Sequence, residues 1–107
     1  MSKELEAIVN QAFQAAKQAE AEFKAQHGEA QWPCGFAWVT VTPGNSKVAN
    51  YLKKQGLARK AYNGGVSVWN PGGSFTQNMD IKEQGARAFA DVLRTHGYNA
   101  YADSRMD

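Results

Sequence analysis

Apolar residues recur at helical spacing from Leu5 through Ile8, Ala12, Ala16 and Ala19 to Phe23, with Val9 and Phe13 widening the stripe. Residues 1–28 therefore predict one long amphipathic helix, capped by Ser2 and stopped by Gly28. The period then changes to two. "GFAWVTVT", residues 35–42, alternates and is rich in aromatic and β-branched side chains, so it predicts a strand. Between these two elements "EAQWPCG" reads as a linker, because Pro33 biases Trp32 toward extended backbone.

"PGN" predicts a turn, after which Asn45 or Ser46 caps a short helix with Val48, Tyr51 and Leu52 on its apolar side. Gly56 ends that helix, and Leu57 can fold back on its last turn. "LARKAYNGGVSVWN" predicts a hairpin of residues 57–62 and 65–70 turning at Asn63-Gly64, the pair preferred in type I′ turns. The loop "PGGSFTQNM" leads to a helix opened by Asp80 and Glu83 in a capping-box spacing, with Ala86, Phe89, Ala90 and Leu93 as its buried stripe. Arg87 and Asp91 are placed on it as an i,i+4 pair. Gly97 closes this helix, and "YNAYADS" predicts a last strand.

The expected fold is α+β: one domain over residues 1–107, with an N-terminal helix followed by a βαββαβ core over residues 35–107. That order matches the ferredoxin-like arrangement, a four-stranded antiparallel sheet with its helices on one face. Right-handed crossovers place the first and third strands in the middle.

Alternation then sorts the side chains. With Ala37, Val39, Val41, Val66 and Val68 under the helices, Trp38 and Trp69 face the open side. Ala100 and Ala102 send Tyr101 and Asp103 to the same side, beside Phe36. The hairpin adds a cation whose identity depends on register: a two-residue loop exposes Lys60 and Tyr62, a three-residue loop Arg59. Three fates are open to the aromatic side. The N-terminal helix can cover it, a ligand can stack on it, or a second copy of the chain can bury it.

Charge sharpens this picture. Residues 31–79 hold Lys47, Lys53, Lys54, Arg59 and Lys60 and no Asp or Glu, whereas residues 1–30 hold three Lys and five Glu. A polarised middle third fits an anionic partner, although five solvated cations also suit an ordinary surface. Aromatics on central strands with cations at the edge are how an RNA-recognition sheet stacks unpaired bases and follows their backbone. The likeness is one of layout, since the glycine-aromatic consensus of those domains is absent from "GGVSVWN".

Catalytic chemistry has little to stand on. Cys34 is the single cysteine and "WPCG" is half of a redox motif, while His27 and His96 lie at helix ends without a recognisable spacing to it. One Cys and two scattered His make no familiar zinc site, and Asp80, Asp103 and Asp107 are weak candidates for a divalent cation. Gly64-Gly65 and Gly72-Gly73 are not phosphate loops, because no Gly-Lys-Ser/Thr follows them. No cofactor is expected. His96 is expected to complement the C-terminal end of its helix. "MSKELEAIV" is no signal peptide, no apolar run is long enough to span a membrane, and a lone cysteine fits a reducing compartment. A cytoplasmic location is expected.

The segments "CGFAWV", "GGVSVWNPGGSFTQNMDIKEQGARAFADVLRTHG" and "AYADSRMD", within residues 34–107, resemble short proteins encoded by tailed bacteriophages. The resemblance implies a setting, the cytoplasm of a bacterial host, and carries over no activity and no catalytic or binding residue. Small proteins in that setting often act by binding nucleic acid, a host protein, or a nucleotide signal of bacterial defence. The sequence thus leads to a non-enzymatic accessory protein that binds nucleic acid or a nucleotide. Lys53, Lys54, Arg59 and Lys60 are expected at phosphates, and Trp38, Tyr62 and Trp69 at bases. The alternative is an inhibitor of a host or defence enzyme that docks through the N-terminal helix or the "PGGSFTQNM" loop.

Overall fold

Local signals set most of the element ends in a computed structural model that describes residues 2–27, 35–61, 64–73 and 79–106. Its elements in order are α1 (Ser2–His27), β1 (Gly35–Thr42), α2 (Lys47–Lys54), β2 (Arg59–Lys60), β3 (Val66–Trp69), α3 (Met79–Thr95) and β4 (Asn99–Met106). Ser46 is the cap of α2, its side chain accepting from the Ala49 N–H at 3.2 Å. Gly56 at φ 74° ends α2, and the Leu57 N–H donates to the Leu52 carbonyl, as a Schellman-type stop requires. Gly97 at φ 87° repeats the device after α3, with the Tyr98 N–H on the Leu93 carbonyl. Trp32, Cys34, Tyr62, Asn63, Asp107 and the centre of the "PGGSFTQNM" loop lie outside the described residues.

The sheet is antiparallel throughout, in the order β2-β3-β1-β4, so β1 and β3 are central. Its apolar side carries Ala37, Val39, Val41, Val66, Val68 and Ala100, all buried in a single core with residues of α1, α2 and α3. α1 supplies Ile8, Val9, Ala12 and Ala16 to that core, and Phe13 meets Phe89 of α3 edge-on at 4.8 Å. The possibility that α1 covers the open side of the sheet is therefore overturned. Its stripe is satisfied on the helical side, where the long apolar face of α3 offers a closer match than the polar-flanked aromatic side of the sheet.

Gly85, a costly residue in a helix interior, lies where α3 receives the buried Glu20 side chain of α1, and Gly72 lies against the same carboxyl group. A Cβ at either position would run into it.

The pairing of the hairpin decides between the two registers that the sequence allows. Ala61 donates to the Gly65 carbonyl at 2.8 Å, and Arg59 and Lys60 pair with Ser67 and Val66, the register that puts Arg59 on the aromatic side. Gly64 at φ 82° supplies the left-handed position that a longer hairpin connection needs. The paired part of β2 is two residues long rather than the six expected.

Gly44 explains where the hairpin sits. Its N–H donates to the Gly64 carbonyl at 2.9 Å, and a Cβ on Gly44 would overlap that same carbonyl. Gly44→Ala is expected to push the hairpin off the β1–α2 turn at a cost of about 1–3 kcal/mol. Urea unfolding should show a lower midpoint with an unchanged slope.

The long edge strand β4 is blunted against pairing with other chains. Arg94 Nη1 donates to the Ala100 carbonyl at 2.7 Å, and Asp103 Oδ1 accepts from the Ser104 N–H at 2.8 Å. Both main-chain groups belong to residues of the parity that points away from β1. Arg94 also holds Asp91, so the ion pair on α3 is Asp91–Arg94 and not the expected Arg87–Asp91. The guanidinium that reaches the Ala100 carbonyl decides the matter.

Candidate functional site

The open side of the sheet is a grid fixed by register. Trp38 lies opposite Trp69 and Asp103, Thr40 opposite Ser67 and Tyr101, and Phe36 opposite Arg105. Arg59 stands beside Ser67. Because the Asn70 N–H donates to the Ala37 carbonyl, Trp38 and Trp69 form a non-hydrogen-bonded pair, the closer of the two antiparallel types.

That closeness brings the indoles together. Their ring centroids are 4.8 Å apart with planes inclined by 34°, and Phe36 meets Trp69 edge-on at 6.3 Å. Trp69 is 51% exposed and Tyr101 40%, so four aromatic side chains form one apolar surface open to solvent. Lys82 of α3, itself buried, donates to the Gly35 carbonyl at 3.2 Å and lies 5.4 Å from the Phe36 ring centre. It ties the start of β1 to α3 and places a cation against the Phe36 ring.

A depression of about 470 Å³ lies over this grid, with Trp38, Trp69 and Tyr101 in its floor and Arg59, Lys60 and Arg105 around it. Among the described residues Asp103 is the one acidic side chain lining it.

The four cations expected to act together are not in one place. Arg59 belongs to the aromatic side. Lys60 pairs with buried Val66, so it leaves β2 toward the helical side, and it lines both the aromatic depression and a second cleft of about 430 Å³. Lys53 faces that second cleft, beside Gly44 and Gly64. Lys54 lines neither cleft and is exposed in the last turn of α2, where a cation complements the helix dipole. The helix stop at Gly56 separates residues that the sequence sets side by side. Tyr62 lies outside the described residues.

Two residues that were not singled out as ligand contacts belong to the grid. Tyr101 and Arg105 follow the same two-residue alternation as Asp103. That alternation was the signal that could have found Arg105.

The acidic candidates sit elsewhere. Among the described residues no three His, Cys, Asp or Glu side chains converge. His96 Nε2 is 3.3 Å from Gln11 Oε1, linking the end of α3 to α1. Asp80 lies within the first turn of α3, one residue past the first helical position rather than before it. Desolvation first, and then the neighbouring Glu83 carboxylate, hold the Asp80 carboxyl above its ordinary value, with Arg87 pulling the other way.

A carboxyl whose pKa is raised by folding binds its proton more tightly when folded, so stability falls as pH rises from its unfolded toward its folded pKa. Asp80→Asn is therefore expected to raise stability slightly at neutral pH. The gain should vanish in acid below the carboxylate range, which melting curves across pH would detect.

Among the described residues no helix is long and apolar enough to cross a membrane. Comparison with protein-family models, with curated proteins and with solved structures returns no match.

Proposed function

We propose that the protein is a non-enzymatic binding module for unpaired nucleic acid or a nucleotide, which it takes on the open side of the sheet. The observation that carries this reading is the Trp38–Trp69 pair at 4.8 Å, half-exposed at Trp69 and flanked by Arg59 and Arg105. Indole faces stack any base, and flanking cations hold its phosphates. Each stacked base contributes about 1–3 kcal/mol, so two bases with a few phosphate contacts reach a micromolar site. Phosphate contact falls to Lys60 and Arg105 at the depression and to Lys53 on the second cleft, while Arg59 stands beside the stacking pair. Lys54 lines neither the depression nor the second cleft.

The βαββαβ order with β1 and β3 central supports reading the core as ferredoxin-like, with α1 added to its helical layer and β2 cut short. The phage resemblance gives this reading a setting, an accessory protein in the cytoplasm of an infected bacterium. For the alternative, a protein inhibitor docking through α1 or the "PGGSFTQNM" loop, the apolar stripe of α1 is spent in the core, and the centre of the loop lies outside the described residues.

A salt titration of binding to single-stranded oligonucleotides tests the reading. Log affinity should fall linearly with log salt concentration, with a slope near −2 for about three phosphate contacts at about 0.7 each. No binding at low salt, or affinity indifferent to salt, would sink it.

A further inference from the structure

We infer that a cleft beside the depression is a slot that reads the edge of a base, formed where β2 stops short of Trp69. The inference rests on the binding reading above and adds base selectivity to it.

The argument begins with the ladder. Asn70 donates to Ala37 across the β3–β1 pairing, so residues of even number in β3 turn their main-chain groups toward β1. Ser67 and Trp69 turn theirs the other way, as the Ala61–Gly65 bond and the Arg59–Ser67 pairing require. The next partner on that side would be residue 57. β2 does not reach it: the strand is Arg59–Lys60, and the Leu57 N–H is already committed to the Leu52 carbonyl in the α2 stop. Among the described residues β2 therefore offers no partner to the main-chain N–H and C=O of Trp69.

On this side Trp69 lines a cleft of about 440 Å³ together with Gly56, Leu57, Ala58, Arg59 and Ser67. Leu57, 39% exposed, and the Trp69 indole give the cleft two apolar surfaces. A flat aromatic ligand with polar edges fits such a place.

The polar groups have an order. Arg59, the cross-strand neighbour of Ser67, lines the cleft together with Trp69, and in the proposed slot its guanidinium stands beside the Trp69 N–H and C=O, giving the order donor, donor, acceptor. Guanine offers the complement along N7, O6 and N1–H, and cytosine along O2, N3 and N4–H. Adenine and uracil alternate acceptor, donor, acceptor. They can satisfy the main-chain pair but leave Arg59 without its acceptor. Selectivity for guanine and cytosine therefore depends on Arg59, while the main-chain pair is indifferent.

The test uses the full chain and six-nucleotide oligouridylates in which one central position is G, C or A. A single G or C should tighten binding by about tenfold over all-uridine, the value of one charge-assisted hydrogen bond. A single A should not. Arg59→Ala should level the four oligonucleotides while leaving the melting temperature unchanged. In the free protein the Trp69 amide should exchange with solvent far faster than those of Val66 and Val68, and become protected when the G-containing oligonucleotide binds. Salt-dependent binding with equal affinity for all four oligonucleotides, or a Trp69 amide already protected in the free protein, overturns the slot and leaves the stacking surface standing. Failure of every oligonucleotide to bind overturns both.

Discussion

A chain carrying both Trp38→Ala and Trp69→Ala is expected to lose about 30-fold to 20,000-fold in affinity for single-stranded oligonucleotides, since two stacks of about 1–3 kcal/mol each disappear. The fold should survive. Trp69 is half exposed, and what the pair gives to stability beyond its burial is the contact between the two indoles, about 0.5–1.5 kcal/mol. The double variant should therefore unfold cooperatively, at a temperature only slightly below that of the parent, while binding nearly vanishes. Each single variant should fall between, with Trp69→Ala the weaker binder because it also removes the contact to Phe36. An unchanged affinity in the double variant would show that the ligand, if any, binds elsewhere. Fluorescence anisotropy of a labelled oligonucleotide measures these losses without relying on the protein's own tryptophans.

Phe89→Ala should do the opposite: damage the fold without touching the aromatic surface. Phe89 is fully buried, is the bulkiest of the fully buried side chains among the described residues, and meets Phe13 of α1 edge-on. Removing a buried phenyl ring typically costs about 3–5 kcal/mol, against a total stability of about 5–15 kcal/mol for a domain. Urea unfolding should show that loss, and Phe89→Leu should recover most of it. A loss below about 1 kcal/mol would mean that the site collapses around the vacancy or that α1 does not pack on α3 there, and the exposed aromatic side would then need another explanation.

The two variants together separate what the sequence made plain from what it left open. The alternation in "GFAWVTVT" and "NAYADS" was enough to send Phe36, Trp38, Tyr101 and Asp103 to one side, because a two-residue period admits only two assignments and the valines settle which. The Gly56–Leu57 stop was equally legible, since the left-handed glycine and the returning leucine form a local motif.

The hairpin was not. Asn63-Gly64 admits a two- or a three-residue connection, and a shift of one residue exchanges Arg59 for Lys60 on the aromatic side. Tertiary contact at Gly44 lies against the turn that was used, and no local pattern encodes it. The placement of α1 was open for a related reason. A stripe of Ile8, Val9, Ala12 and Ala16 requires an apolar neighbour, but it does not say which one, and Gly85 and Gly72 beside Glu20 become informative only once the helices are together. The scattering of Lys53, Lys54, Arg59 and Lys60 over three surfaces likewise follows from the direction each element takes, which closeness along the chain does not give.

The most direct test of an open, ligand-binding aromatic side is quenching of tryptophan fluorescence by iodide and by acrylamide in the full chain with Trp32→Phe, so that Trp38 and Trp69 alone emit. The account predicts ready quenching in the free protein and loss of that access when a single-stranded oligonucleotide saturates it at low salt. Indoles shielded in the free protein, or equally accessible with and without the oligonucleotide, would contradict it.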